Sequence, residues 1–333
     1  MHIGRRAALA LLGAGPGVAQ LAPGASAQVV PGVPAGWPDR PVRLVVPYLP
    51  GGSVDILNRA YARALGEQLG QTVVVENRPG GTTSIGTAFV ARAAPDGYTL
   101  LGGGDSVELN RYLMAAPPYD ADRDLQAVQQ LADVPYVLIV NPSVPARSLA
   151  ELIRHAKANP GKLTYASFGI GGGGHLSGEL LCRMAGIEAL HIPYPGNPPA
   201  LLDVMAGRVD MMFCTIPVAQ AELRAGHVVA LAMSSPARVA ALPTVPTCAE
   251  AGLPGYDSTG EMTLYLPAGV PEPIVARLWQ ATRAALNGPE LARLLDQQGF
   301  VVTPPRSPAE TTAHVKAHAA RMAEVIREAG IRL

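Results

Sequence analysis

The chain has 333 residues with 26 basic and 26 acidic side chains, enough for two ordinary domains, each able to bury a full core. Aromatics are 5% and no basic block exists, which argues against a nucleic-acid platform or an anionic membrane surface as partner. Three cysteines, Cys182, Cys214 and Cys248, match no metal or CxxC spacing, and their pairing is left open.

The first 27 residues read as a signal peptide. Arg5-Arg6 is a short basic region, Ala7 to Leu12 is apolar, and Ala25-Ser26-Ala27 is a small-x-small cleavage site. The apolar stretch is too short to span a bilayer. Export to the periplasm by the Sec route, or by Tat given the twin arginine, is expected. Removing residues 1–27 takes away two arginines and no acid, so the mature chain is slightly acidic.

After a Pro-rich lead-in, short apolar runs, Gly-rich turns and amphipathic stretches alternate. Val42 to Val46 reads as a buried strand, Pro50 to Ser53 as a turn, and Val54 to Leu69 as a helix capped by Ser53 and ended by Gly70. Strand Thr72 to Glu76, helix Ile85 to Ala93 and strand Tyr98 to Leu101 follow, and then the turn Gly102 to Ser106. Val137 to Val140 is the next strand. Ser148 and Glu151 form a capping box, and strand Leu163 to Ser167 runs into Gly169–Gly174 and a helix from Leu176 to Met184. Strands are expected at Leu190–Tyr194, Val209–Phe213, Val228–Met233 and Met262–Leu266. Helices are expected near Glu272–Leu286 and Pro289–Gln298, and from the capping box Ser307/Glu310 to about Ala329. Such alternation predicts an α/β fold of mainly parallel sheets flanked by helices.

Ligands of such sheets sit at the carboxyl ends of strands. Three turns qualify: Pro50-Gly51-Gly52-Ser53, Gly102 to Asp105-Ser106, and Gly169 to Gly174. Free N–H groups at a helix start attract an anion, and none of these turns carries Lys or Arg. That favours a carboxylate over a polyphosphate. Gly169-x-Gly171-x-x-Gly174 formally matches a dinucleotide fingerprint, but no acid follows the next strand to hold a ribose. No GxSxG or HExxH occurs. His175 can donate to a carboxylate or simply pack. Cys214 can be a nucleophile after a strand or a small core residue. His314 and His318 share a helix face, read as a solvated face with metal binding as the alternative. Asp55 suits the first helical turn.

The chain resembles the Bug-type receptors, the periplasmic substrate-binding components of tripartite tricarboxylate transporters. The resemblance runs from Trp37 to Ile331 through ordered segments. They are Trp37-Pro38-Asp39-Arg40-Pro41 with Val42 to Pro47, Pro50-Gly51-Gly52 with Asp55, and Gly70-Gln71 with Val73 to Gly80. Ala94 to Leu100, Asn141 to Pro145, His175-Leu176 with Gly178-Glu179, and His191 to Tyr194 follow. Pro243 to Thr247, Glu250 to Gly255 and Pro267 to Gly269 complete the set.

The resemblance implies a two-lobed, periplasmic-binding-protein-like (type II) fold with a two-strand hinge. Lobe 1 would hold residues 37–136 and 259–333, and lobe 2 residues 137–258. It implies a receptor for a small organic acid, with no catalysis, no cofactor and no metal. Its partners would be membrane permease subunits or a sensor kinase; a monomer is expected because nothing in the sequence resembles a coiled coil. The alternatives are a sensor's receptor or an enzyme on this scaffold using Cys214 or His175. The turns Pro50–Asp55 and Gly169–His175 would face each other across the cleft. The expected binding set is Tyr48, Pro50, Gly51, Gly52, Ser53, Asp55, Ser84, Asp105 and Ser106 from lobe 1. From lobe 2 it is Ser167, Gly169, Gly171, Gly172, Gly173, Gly174, His175, Tyr194, Cys214 and Thr215, with Glu261 from the returning chain. Gly173, Gly174, Cys214, Thr215, Ser84 and Glu261 depart from the family's usual residues. Glu261 would favour a ligand with a donor or cationic group, or else point to solvent.

Overall fold

The structure, a computed structural model, describes residues 31–333. The expected signal peptide lies outside the described residues. In chain order the strands are β1 (Val42–Val46), β2 (Val73–Asn77), β3 (Thr99–Gly104), β4 (Leu125–Val134), β5 (Tyr136–Val140), β6 (Leu163–Ser167), β7 (Ala189–Pro193), β8 (Met211–Thr215), β9 (Val229–Met233) and β10 (Gly260–Pro267). They form two five-stranded sheets, ordered β2-β1-β3-β10-β4 and β7-β6-β8-β5-β9. In the first sheet β1 pairs in parallel with β2 and β3, and only β10 runs against its neighbours. In the second, only β5 does so. The molecule is a two-lobed α/β protein of the kind expected, with one reversed strand in each sheet. The reversed strands are the ones entered directly from the other lobe.

Flanking these sheets are α1 (Ser53–Leu69), α2 (Ser84–Ala91), α3 (Ser106–Leu113), the short α4 (Ala121–Asp124), α5 (Leu149–Ala158), α6 (Gly173–Ala185), α7 (Asn197–Met205), α8 (Ile216–Ala225), α9 (Glu272–Leu286), α10 (Pro289–Gln297) and α11 (Pro308–Glu328). The reasons are local. α1 buries Leu57, Tyr61, Leu65 and Leu69, one residue per turn, and stops at Gly70, whose φ of 69° closes a left-handed cap. α11 starts from a reciprocal capping box between Ser307 and Glu310. At α5 the box is half-formed: Ser148 caps Glu151 N–H, but the Glu151 carboxylate accepts from Arg147 N–H.

Two expectations change. Gly102, Gly103 and Gly104 are strand and not turn, paired with Leu264, Thr263 and Met262. Their glycines admit close neighbours: a Cβ on Gly102 would fall 1.9 Å from Asn58 Oδ1. And β4, the longest strand, went unforeseen. It buries Gln129 and Gln130 and carries two irregularities against β10, so its alternation is broken.

The chain crosses between sheets twice, at Pro135 and along 234–259. The crossings are laced together: Tyr136 N–H donates to Ser234 Oγ at 2.9 Å, and Ser234 N–H to the Tyr136 carbonyl at 2.8 Å. One buried cluster runs from Leu44 and Leu57 under the first sheet to Leu138, Tyr165 and Phe213 under the second. Another joins Leu109 and Leu113 of α3, Leu176 of α6, and Met322 and Ile326 of α11. Each such Leu contributes about 1.5–3 kcal/mol on burial.

Candidate functional site

The first turn is shaped by Asp55. Gly51, at a left-handed φ of 80°, donates its N–H to Asp55 Oδ2 at 2.8 Å. Arg59 Nε donates to the same oxygen at 2.8 Å, and Asn77 Nδ2 to Oδ1 at 2.8 Å. Burial acts to raise the Asp55 pKa, but these three donors hold it below the usual carboxylate range. Asp55 is therefore satisfied internally and braces the turn. α1 begins at Gly52 with no side-chain cap, so its leading N–H groups have no capping side chain. Ser53 is the first helical residue and not the cap expected. Its Oγ lies 2.9 Å from Thr215 Oγ1, in the other lobe.

Thr215 ends β8 and is the N-cap residue of α8, yet its side chain makes no cap bond. α6 likewise starts at Gly172 without a side-chain cap. Gly174 packs so closely on β8 that a Cβ there would sit 2.7 Å from the Phe213 carbonyl oxygen. Three uncapped helix starts thus converge: α1 from lobe 1, α6 and α8 from lobe 2.

The Gly169–Gly174 turn is held from both sides. Gly171 has φ 71°, and its N–H donates to His175 Nδ1 at 3.0 Å. An added Cβ would strike Leu113 of lobe 1 at Gly171, and the Tyr136 hydroxyl, 2.1 Å away, at Gly173. His175 stacks on His191 at 3.7 Å, and its Nε2 lies 3.6 Å from Glu179. Because Nδ1 accepts an N–H, the ring proton sits on Nε2, facing Glu179. His191 in turn meets Ser167 Oγ at 2.7 Å, and Ser167 Oγ donates to the Gly169 carbonyl at 3.1 Å. Burial, then the neighbouring His175, pushes His191 down to about 4. His175 and Ser167 are thus engaged in shaping the loop.

Ser84 is buried at the start of α2. It follows Thr82 and Thr83, whose φ of 48° and 71° are costly for β-branched residues. Asn110 Nδ2 holds the Thr82 carbonyl at 3.0 Å. Asp105 and Ser106 lie where β3 passes into α3, close to Tyr48. The Tyr48 phenol is raised by burial first and then by the charge of Asp105.

Two expected contacts fall elsewhere. Cys214 turns with Met212 into the core that the second sheet shares with α7 and α8, and burial raises its thiol far from thiolate chemistry. Strand alternation decides this, since Phe213 and Thr215 take the other face. Tyr194 packs beside that same core and donates to Asp203 at 2.6 Å. Glu261 does not point to solvent. It is buried, 2.7 Å from His314 Nε2. His318, expected on a solvated face, is buried beside it. Among the described residues no group of His, Cys, Asp or Glu is arranged to hold a metal ion, and no helix is long and apolar enough to cross a membrane.

Sequence reasoning missed Tyr136 and Leu113, which with Phe168 fill the space beside the glycine turn. Only the glycines that oppose them mark the close approach.

The family model for the tripartite tricarboxylate transporter family receptor matches residues 57–331. The chain belongs to this family. A relative from Pseudomonas sp. strain P51, encoded in the tcbD–tcbE intergenic region, is 40% identical over 265 residues, covering 79% of each chain. Among solved structures, R. palustris Rpa4515 with adipate superposes with a TM-score of 0.82 at 37% identity, covering 89% of this chain and 99% of that one. MatC from Rhodopseudomonas palustris with bound malate gives 0.76 at 32% identity, covering 87% and 100%. The protein is a solute-binding receptor of the Bug type.

Proposed function

We propose that this receptor captures a small carboxylate in the cleft between its lobes, outside the cytoplasm, and presents it to the permease subunits of a tripartite transporter. The convergence of three uncapped helix starts carries the reading. Backbone N–H groups and helix dipoles attract an anion, and the Ser53 and Thr215 hydroxyls stand ready to donate. No Lys or Arg lies in the turns, which suits a carboxylate better than a phosphate. The adipate and malate held by relatives support the ligand class.

The physical cycle is hinge closure. With the lobes apart, Ser53 and Thr215 separate and the acid docks on one set of N–H groups. Closing brings the second set and completes its hydrogen bonds. The braces at Asp55 and His175 fix both turns beforehand, so little ordering cost is left for binding. No turnover is expected: Cys214 is buried in a core and both His175 nitrogens are engaged.

A thermal-shift screen of residues 28–333 against mono-, di- and tricarboxylates, amino acids and aromatic acids tests this. A ligand at a hundred times its Kd stabilises by about 2.7 kcal/mol, which is easily read as a midpoint shift. A shift with one carboxylate class supports the reading. Shifts only with neutral or cationic compounds overturn it.

A further inference from the structure

Beneath α11 lies a group of buried ionisable side chains joined to one another. Glu261 Oε1 is 2.7 Å from His314 Nε2 and 3.3 Å from His318 Nδ1. The other nitrogen of His318 is 3.6 Å from Asp105 Oδ1. That oxygen also accepts the Glu261 N–H at 2.8 Å. The cluster therefore runs from α11 to the β3–α3 turn, beside Tyr48.

A void of about 10 Å³ adjoins it, lined in part by Asp105, Glu261, Thr263 and His318. Thr263 lines this space, and its Oγ1 has no hydrogen-bond partner although the residue is only 1% exposed. A polar void of this size suits about one water, which can bridge Thr263 to the carboxylates.

Charges of both signs surround the cluster. From β4, Asp133 faces Glu261, its carboxylate tied to Gln130 Nε2 at 2.7 Å, with Arg306 bonded to Gln130. From α3, Glu108 is already paired with Arg111, near Asp122 and Lys316. From α11, Arg321 reaches His318 at 3.2 Å. The phenols of Tyr136 and Tyr265 also face Asp105, uncharged. Asp105 and Glu261 thus share His318, Glu261 also meets His314, and the Tyr136 hydroxyl that packs beside Gly260 packs as well beside Gly173 of the turn read as an anion site.

We propose that this cluster takes up a proton as the cleft takes up its carboxylate, so that proton and ligand bind cooperatively. The inference rests on the carboxylate reading above. A bound anion favours any neighbouring group that gains a proton, and by reciprocity the proton strengthens anion binding. Two of the carboxyls are shifted into a useful range. Burial pushes Asp105 up to about 6 against the pull of His318, with Glu261 adding to the rise, and burial and Glu261 push Asp133 up to about 6.

The test is calorimetric titration of the wild-type receptor with adipate, malate and the panel acids, at pH 6.5, in two buffers of different ionisation heat. The expected result is a heat that differs between buffers, reporting net proton uptake, and a Kd about 3- to 10-fold tighter at pH 6 than at pH 8. Glu261→Gln and His318→Gln should flatten that dependence. Binding with the same heat in both buffers and an unchanged Kd from pH 6 to 8 overturns the inference and leaves the carboxylate reading standing. Failure of every acid to bind at either pH removes both. The two-buffer comparison needs no variant, so it decides even where a variant fails to fold.

Discussion

Ser53 Oγ and Thr215 Oγ1 meet at 2.9 Å, although 162 residues separate them and each belongs to a different sheet layer. Each stands at the start of a helix without using its oxygen to cap that helix. The pair is therefore a contact between lobes, and under the proposed function a ligand entering the cleft would exchange it for its own hydrogen bonds. Ser53→Ala and Thr215→Val should each weaken carboxylate binding about 2- to 10-fold, as expected for one hydrogen bond, without lowering the melting midpoint much. Calorimetric titration beside a thermal melt checks this. An unchanged Kd in both variants would remove the pair from the site.

Gly173 and Tyr136 form a volume-locked pair, since a Cβ on Gly173 would fall 2.1 Å from the phenol oxygen. Gly173→Ala should destabilise by about 1–3 kcal/mol through overpacking. Combining it with Tyr136→Phe should recover part of that loss. A double-mutant cycle by urea unfolding reads the coupling, and additive effects would mean the two do not share this space.

His191 should make stability fall on the acid side. Its folded pKa, pushed down to about 4, lies below the ordinary value near 6.5. The neutral ring is the favoured folded form, so this contribution is full above pH 6.5 and is lost between about 6.5 and 4. Because the ring is only half-buried and partly screened by solvent, the loss is on the order of 1–2 kcal/mol. Asp55 has the opposite kind of charge but the same sign. Its depressed pKa contributes stability above the unfolded carboxylate value, lost as pH falls through the folded one. Urea midpoints at pH 7 and pH 5 for wild type and His191→Gln separate the two. The variant should lose less on going to pH 5.

Cys214 should stay unreactive in the native protein. Its sulfur is fully buried in the core beside Met212, and burial raises its pKa. A thiol reagent at pH 8 should label it only on unfolding, and Cys214→Ala should keep ligand affinity within about twofold while costing about 1 kcal/mol of stability. Rapid native labelling, or lost binding in that variant, would return Cys214 to the cleft.

Much of the fold was legible because its signals are local. Apolar runs of about five residues, Gly-rich turns and capping residues predicted most strands, the α9 span and the Ser307 box. The resemblance supplied the two-lobed plan. What was hidden depends on partners distant in sequence. β4 buries two glutamines that β10 and Trp279 make tolerable, as Gln129 Oε1 accepts from the indole N–H at 3.1 Å. Gly102 to Gly104 look like a turn until β10 is laid beside them. Burial of Glu261 is not foreseeable until α11, some fifty residues on, places two histidines against it. At the site itself the glycine turns were visible, but the direction of Cys214 hung on a register that composition does not encode.

The most direct test is a crystal structure of the receptor with the acid that gives the largest thermal shift. The account predicts a carboxylate lying between Ser53 and Thr215, its oxygens about 3 Å from N–H groups at the starts of α1 and of α6 or α8. An acid bound outside the cleft, or held there by a Lys or Arg side chain with those N–H groups left unused, would contradict it.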